Sequence, residues 1–209
     1  PVALPLRRGD SARPRPGLGR GFRLADYSPK DRAGIKDKDK AHEVLQVGIQ
    51  QLREMHEKLW AQDKWAVLLI FQAMDAAGKD GVIKHVTTGL NPQGVDVSSF
   101  KVPSREELDH DYMWRYLRRM PERGRIGIFN RSYYEEVLVV RVPRDLLAKE
   151  HIPPELIGKH VWRDRYEDIN NFERYLTRNG IVVRKFFLHV SKEEQRRRFL
   201  DRLERPEKQ

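Results

Sequence analysis

Apolar positions along this chain fall into two alternating patterns. Short continuous runs at 67–71, 95–102, 125–130 and 181–190 are separated by longer stretches in which apolar residues recur every three or four positions. The runs predict strands of a buried parallel sheet, and the periodic stretches predict amphipathic helices. Over 40–62, Ala41, Val44, Leu45, Gly48, Leu52, Met55 and Leu59 share one face, which is expected to pack on the sheet. Ser104 and Glu107 form a capping box that opens a helix to about Met120, with Leu108, Tyr112, Tyr116, Leu117 and Met120 inward and Pro121 as its stop. Pro153 and Pro154 precede a long helical segment to Asn179, ended by Gly180. Ser191 and Glu194 cap a last helix bearing Arg196, Arg197, Arg198 and Arg202. Strands alternating with helices predict an α/β, three-layer αβα architecture with a parallel sheet flanked by helices.

The stretch 65–86, WAVLLIFQAMDAAGKDGVIKHV, organises the rest. It reads as strand, small-residue loop, helix. Ala76, Ala77, Gly78 and Gly81 are small where backbone N–H groups must close around phosphate oxygens, and the helix N-terminus adds partial positive charge. Lys79 adds a full charge. The match to G-x-x-x-x-G-K-[ST] is incomplete, because Ala73 replaces the first Gly and Asp80 stands at the metal-binding hydroxyl position. Asp75 places a carboxylate within the loop, able to hold Mg²⁺ or to orient an acceptor phosphate.

A second loop of the same kind follows the 125–130 run in IFNRSYYEE, at the carboxyl edge where parallel sheets bind ligands. Arg131 suits a bidentate phosphate contact there. Asn130 stands where phosphate-loop enzymes often have Asp, and Glu135 could restore the lost charge as a metal ligand. Glu135 and Glu136 also suit a helix N-terminus, a placement worth about 0.3–1 kcal/mol. The 153–179 segment, with Arg163, Arg165 and Arg174 among aromatics, fits either a lid over anionic substrates or a solvated face above an aromatic core stripe.

Composition narrows the partners. The formal net charge of +10 over 209 residues favours anionic ligands. The absence of cysteine excludes disulfides and thiolate metal sites. No apolar run approaches about 18 residues, and the chain is expected to be cytoplasmic with no membrane partner. The seven histidines show no metal-ligand spacing. Residues 1–35 are expected to form an extended basic arm carrying Arg7, Arg8, Arg13, Arg15 and Arg20, and 36–209 a single domain. The chain opens on Pro1 and stops in a charged helical pattern, so both ends read as cuts.

Four motifs in order, AMDAAGKDG (73–81), FNRSYYEE (129–136), WRDRYEDINNFER (162–174) and SKEEQRRRF (191–199), resemble the family 2 polyphosphate kinases from about Lys36 onward. The resemblance implies a phosphate-loop kinase core with a helical lid, moving a phosphoryl group between inorganic polyphosphate and nucleotides with Mg²⁺, or Mn²⁺ in its place. It implies that Asp75, Lys79 and Arg131 are catalytic and that Asp75, Asn130 and Glu135 lie at the metal. FNRSYYEE resembles the subgroup that accepts both AMP and ADP. Adenine and guanine nucleotides are expected partners, nucleic acid is not, and a homo-oligomer, dimer or tetramer, is expected. Lys79, Lys84, Arg197, Arg198 and Arg202 would line a polyphosphate groove, Arg163 would meet substrate phosphates, and the last-helix arginines fit a solvated face equally well. Two other readings compete: an ATP-dependent nucleotide kinase of the thymidylate kinase type, and a nucleic-acid-binding module, which leaves the Gly-Lys loop unexplained.

Overall fold

The computed structural model describes residues 23–32, 34–35, 37–142 and 144–204, with backbone alone for Arg144 and Asp145. The expected arm residues Arg7 to Arg20 lie outside the described residues, as does 205–209. The chain divides into two compact units between Ile49 and Gln50, within helix α1 (Lys38–Gln62). In the first, a 3₁₀ turn at Leu24–Asp26 precedes α1, whose start is marked by Lys40 N donating to Asp37 Oδ1 at 2.7 Å.

The second unit holds the sheet. Its strands are β1 (Ala66–Ala73), β2 (Val95–Ser99), β3 (Ile126–Asn130) and β4 (Ile181–Leu188), all parallel in the order β2-β3-β1-β4. β1 is followed by α2 (Lys79–Thr87), and β2 by the short helices α3 (Arg105–Leu108) and α4 (Trp114–Leu117). Then come α5 (Glu135–Leu138), α6 (Arg144–Ala148), α7 (Val161–Arg178) and, after β4, α8 (Lys192–Leu203). The connections leaving β1 and β3 run to opposite sides of the sheet order, so the carboxyl edge between these neighbours is where a ligand crevice opens.

Alternation along β1 builds two helical layers. Leu68 and Ile70 join Phe129, Tyr116, Tyr133, Val137 and the α7 residues Ile169 and Leu176 in one core. Phe71, Ile126 and Ile128 pack with Ile83 of α2 in the other, against which Leu59 of α1 and Val67 and Leu69 are laid. Fully burying one such aliphatic or aromatic side chain contributes about 1.5–3 kcal/mol. These layers confirm the three-layer expectation.

Several expectations change. The helix foreseen from 104 to 120 is two single turns, because Asp111 Oδ1 accepts from Met113 N at 2.9 Å and re-routes the backbone. Its capping box is present, but Leu117 is exposed and only Tyr116 is fully buried. Met55 is likewise exposed on α1. β2 stops at Ser99, and Val102 ahead of Pro103 is left in solvent. β4 is half-exposed rather than buried, since among the described residues it pairs with β1 alone. Residues 161–178 of the expected lid segment form α7, whose Ile169 and Leu176 join the core; Arg165 is buried, donating to Glu136 O at 3.1 Å and paired with Glu150, with its guanidinium 4.6 Å from the Tyr112 ring centre.

Candidate active site at the edge of β1 and β3

The loop after β1 is shaped by two left-handed residues, Ala76 (φ 57°) and Gly78 (φ 89°), immediately before Lys79 opens α2. Gly78 meets this conformation without strain, whereas at Ala76 it must be held by neighbours. The holding groups come from α8. Gln195 Nε2 donates to Asp75 O at 2.9 Å, and Arg198 Nη1 donates to Ala76 O at 3.1 Å. With these carbonyls bound to α8, the loop N–H groups at the start of α2 are left for an anion. Arg198 is itself fixed by Glu194, which accepts from Arg198 Nε at 2.7 Å and from Arg197, and these bonds hold its carboxyl down at about 2. Glu194 N in turn donates to the Ser191 cap.

Lys79 folds back over the loop, its Nζ donating to Ala73 O at 3.3 Å. Burial lowers its pKa first and the Arg131 charge adds to this, while Asp75, Glu135 and Asp80 oppose. A phosphate placed beside it would relieve the cationic crowding.

The adjoining edge of β3 turns out through Arg131, also left-handed (φ 67°), whose N–H donates to Phe71 O at 3.1 Å. Its guanidinium lies between two carboxylates, 3.4 Å from Asp75 Oδ1 and 3.5 Å from Glu135 Oε2. Glu135 is anchored from the other side by Gln72 Nε2 at 2.8 Å, and Ser132 Oγ donates to Gln72 Oε1 at 3.4 Å. Asn130 Nδ2 donates to Asp80 Oδ1 at 2.6 Å and reaches Ser99 Oγ at 3.4 Å, because the register sets Asn130 beside both Phe71 and Ser99.

The expected residues Asp75, Ala76, Ala77, Gly78, Lys79, Asp80, Asn130, Arg131 and Glu135 are thus gathered at one sheet edge, with Gly81 in the first turn of α2. Arg198 joins them, but as a support behind the loop with two of its donors engaged. Lys84 and Arg202 are exposed, and Arg163 pairs with its neighbour Asp164; among the described residues no hydrogen bond or ion pair joins these three to the loop. Gln72, Gln195 and Glu194 were not foreseen as site residues. A glutamine closing an otherwise apolar strand is the one sequence signal that could have marked Gln72.

The donor set is carboxylate and amide oxygen, the chemistry of a hard divalent cation. Among the described residues no three carboxylate or imidazole groups converge as a closed cage. That fits an ion taking one or two protein ligands and completing its shell with substrate phosphates, as Mg²⁺ does.

A parallel sheet with a lysine-bearing loop after one inner strand, and an arginine flanked by carboxylates on the next, defines a phosphate-loop phosphotransferase. The sequence model of polyphosphate kinase 2 matches residues 35–209. The chain is 53% identical over 195 residues to an ADP-polyphosphate phosphotransferase of Rhodopseudomonas palustris, covering 93% of this chain and 68% of that protein. It is 45% identical over 188 residues to an AMP/ADP-polyphosphate phosphotransferase of Meiothermus ruber, covering 90% and 66%. The crystal structure of polyphosphate kinase 2 from Arthrobacter aurescens TC1 superposes with a TM-score of 0.79 at 37% identity, covering 91% and 66%. The chain belongs to the polyphosphate kinase 2 family, and it spans about two thirds of the length of these relatives.

Proposed function

We propose that this protein transfers a phosphoryl group reversibly between inorganic polyphosphate and adenine nucleotides, converting ADP to ATP and AMP to ADP. The observation that carries this is the convergence of Lys79, Arg131 and three carboxylates on the β1/β3 edge in a chain whose relatives are named for polyphosphate transfer to ADP and AMP. Phosphoryl transfer asks mainly for positioning and charge stabilisation. Lys79 and Arg131 neutralise the transferring phosphate, the loop N–H groups cradle it, and Asp75 sits beside both. An acceptor phosphate is already an anion and needs no general base. A divalent ion, Mg²⁺ or Mn²⁺, would be held by carboxylate and amide oxygens of this edge, drawn from Asp75, Asp80, Asn130 and Glu135, and would supply further charge neutralisation between phosphates.

The proposal extends to guanine nucleotides as further acceptors and to a cytoplasmic homo-oligomer that does not bind nucleic acid. An ATP-dependent nucleotide kinase finds no support in the relatives described. The test is to incubate the protein with Mg²⁺, polyphosphate and either AMP or ADP, with no ATP, and to separate the products. ADP from AMP and ATP from ADP are expected. Use of one acceptor alone would remove the dual-acceptor assignment, and Asn130→Asp is expected to shift the ratio of the two rates.

A further inference from the structure

We propose that Asp80, rather than the end of β3, carries the charged metal ligand of this site, with Asn130 as its neutral partner. The proposal rests on the phosphoryl-transfer reading above. In phosphate-loop enzymes the cation is held by a Ser or Thr hydroxyl directly after the loop lysine and by an Asp at the end of a neighbouring strand. Here those two positions hold Asp80 and Asn130. Each arrangement has one carboxylate and one neutral oxygen donor, so the charge has changed sides without changing in amount.

The contacts support the exchange. Asn130 Nδ2 points to Asp80 Oδ1 at 2.6 Å and to Ser99 Oγ at 3.4 Å. Both amide hydrogens are therefore directed inward, which fixes the orientation of the amide and leaves its single acceptor, Oδ1, available. Among the described residues no donor binds Asn130 Oδ1 or Asp80 Oδ2. The other carboxylates are differently placed: Asp75 faces Arg131 at 3.4 Å, and Glu135 faces Arg131 at 3.5 Å while accepting from Gln72 at 2.8 Å. Of the three, Asp80 alone makes no ion pair among the described residues, so its charge is the one left for an incoming cation. Glu135, the residue the sequence suggests for that duty, instead orients Arg131. A strand-end Asp in place of Asn130 would set two carboxylates at hydrogen-bonding distance, where mutual repulsion favours protonation of one. The amide at 130 is thus the counterpart of the acid at 80.

The experiment is a titration of the whole protein with Mn²⁺ alone, followed by electron paramagnetic resonance, for the wild type, Asp80→Asn, and the pair Asp80→Thr and Asp80→Thr/Asn130→Asp. Thermal melts establish that each variant is folded, and Asp80→Asn keeps the side-chain shape should the Thr variants fail. Asp80→Asn is expected to weaken Mn²⁺ binding by at least about tenfold. The double variant, which restores hydroxyl and carboxylate to the usual sides, is expected to recover most of what Asp80→Thr loses. Mn²⁺ binding by Asp80→Asn equal to the wild type, no saturable binding by the wild type, or a double variant no better than Asp80→Thr overturns the assignment. ATP formation from polyphosphate and ADP by the wild type is measured beside it: its failure would overturn the transfer reading, while the Mn²⁺ titration still decides which side chain holds the ion.

Discussion

At the scale of single residues, the site depends on a few side chains that act through others. Arg198 is the clearest case: its guanidinium binds the carbonyl of Ala76, a residue held in a conformation unfavourable to a side-chain-bearing amino acid. Arg198→Ala is therefore expected to lower kcat by about ten- to a hundredfold through loss of loop geometry, with Arg198→Lys recovering part of it by keeping one donor. A rise in the KM for polyphosphate at unchanged kcat would instead make Arg198 a direct binder of the donor. Gly78→Ala is expected to impair the same loop, because a Cβ at φ 89° is strained and would lie 3.3 Å from Arg198 Nη1. Asp75 is largely exposed and faces Arg131. Asp75→Asn should lose activity that raised Mg²⁺ restores only in part if the carboxylate meets the ion; activity independent of metal concentration would place Asp75 in acceptor positioning.

At the scale of elements, the parts with strong periodicity or chemical punctuation were legible from sequence. The apolar run 67–71 and the Gly-Lys loop located β1 and α2, and Ser104 with Glu107 located the start of α3. What escaped were features decided by tertiary partners. Asp111 bonding to Met113 breaks a helix whose apolar spacing looks continuous. Gln72 and Gln195 acquire their roles only when Glu135 and Asp75, distant in sequence, are brought beside them. The end of α1 is tied to the turn ahead of β2 by another such pair: buried His56 bonds Gly94 O at 3.1 Å, and a Cβ at Gly94 would run into its ring. Gly94→Ala is expected to cost about 1–3 kcal/mol in urea unfolding. Wild-type stability would show that the ring moves aside freely.

At the scale of the whole molecule, two properties should be visible in solution. The net charge of +10 draws a polyanion from a distance, so the KM for polyphosphate is expected to rise with salt more steeply than that for ADP. Stability should fall from mildly acid to alkaline pH through Glu136, which burial pushes up to about 7; Glu150 adds to the rise, while the Tyr116 hydrogen bond and Arg165 oppose it. The folded protein holds that proton more tightly than the unfolded chain. This contribution is therefore complete below the ordinary value of 4.5 and lost as pH rises through about 7, at most about 3 kcal/mol. Glu136→Gln, which keeps an acceptor for Tyr116, should flatten this dependence, and parallel curves for the two proteins would remove Glu136 from the account. Among the described residues no helix is long and apolar enough to cross a membrane. The central claim is that the Lys79 loop on the β1/β3 edge transfers a phosphoryl group from polyphosphate to a nucleotide. Its most direct test is ATP formation from ADP, polyphosphate and Mg²⁺, with no other phosphate donor, by the wild type and by Lys79→Ala. The expected result is ATP from the wild type and a loss of at least about a hundredfold in a variant with an unchanged melt, as for removal of one preorganised charge. Wild-type turnover by a folded Lys79→Ala variant, or no ATP from the folded wild type, would contradict it.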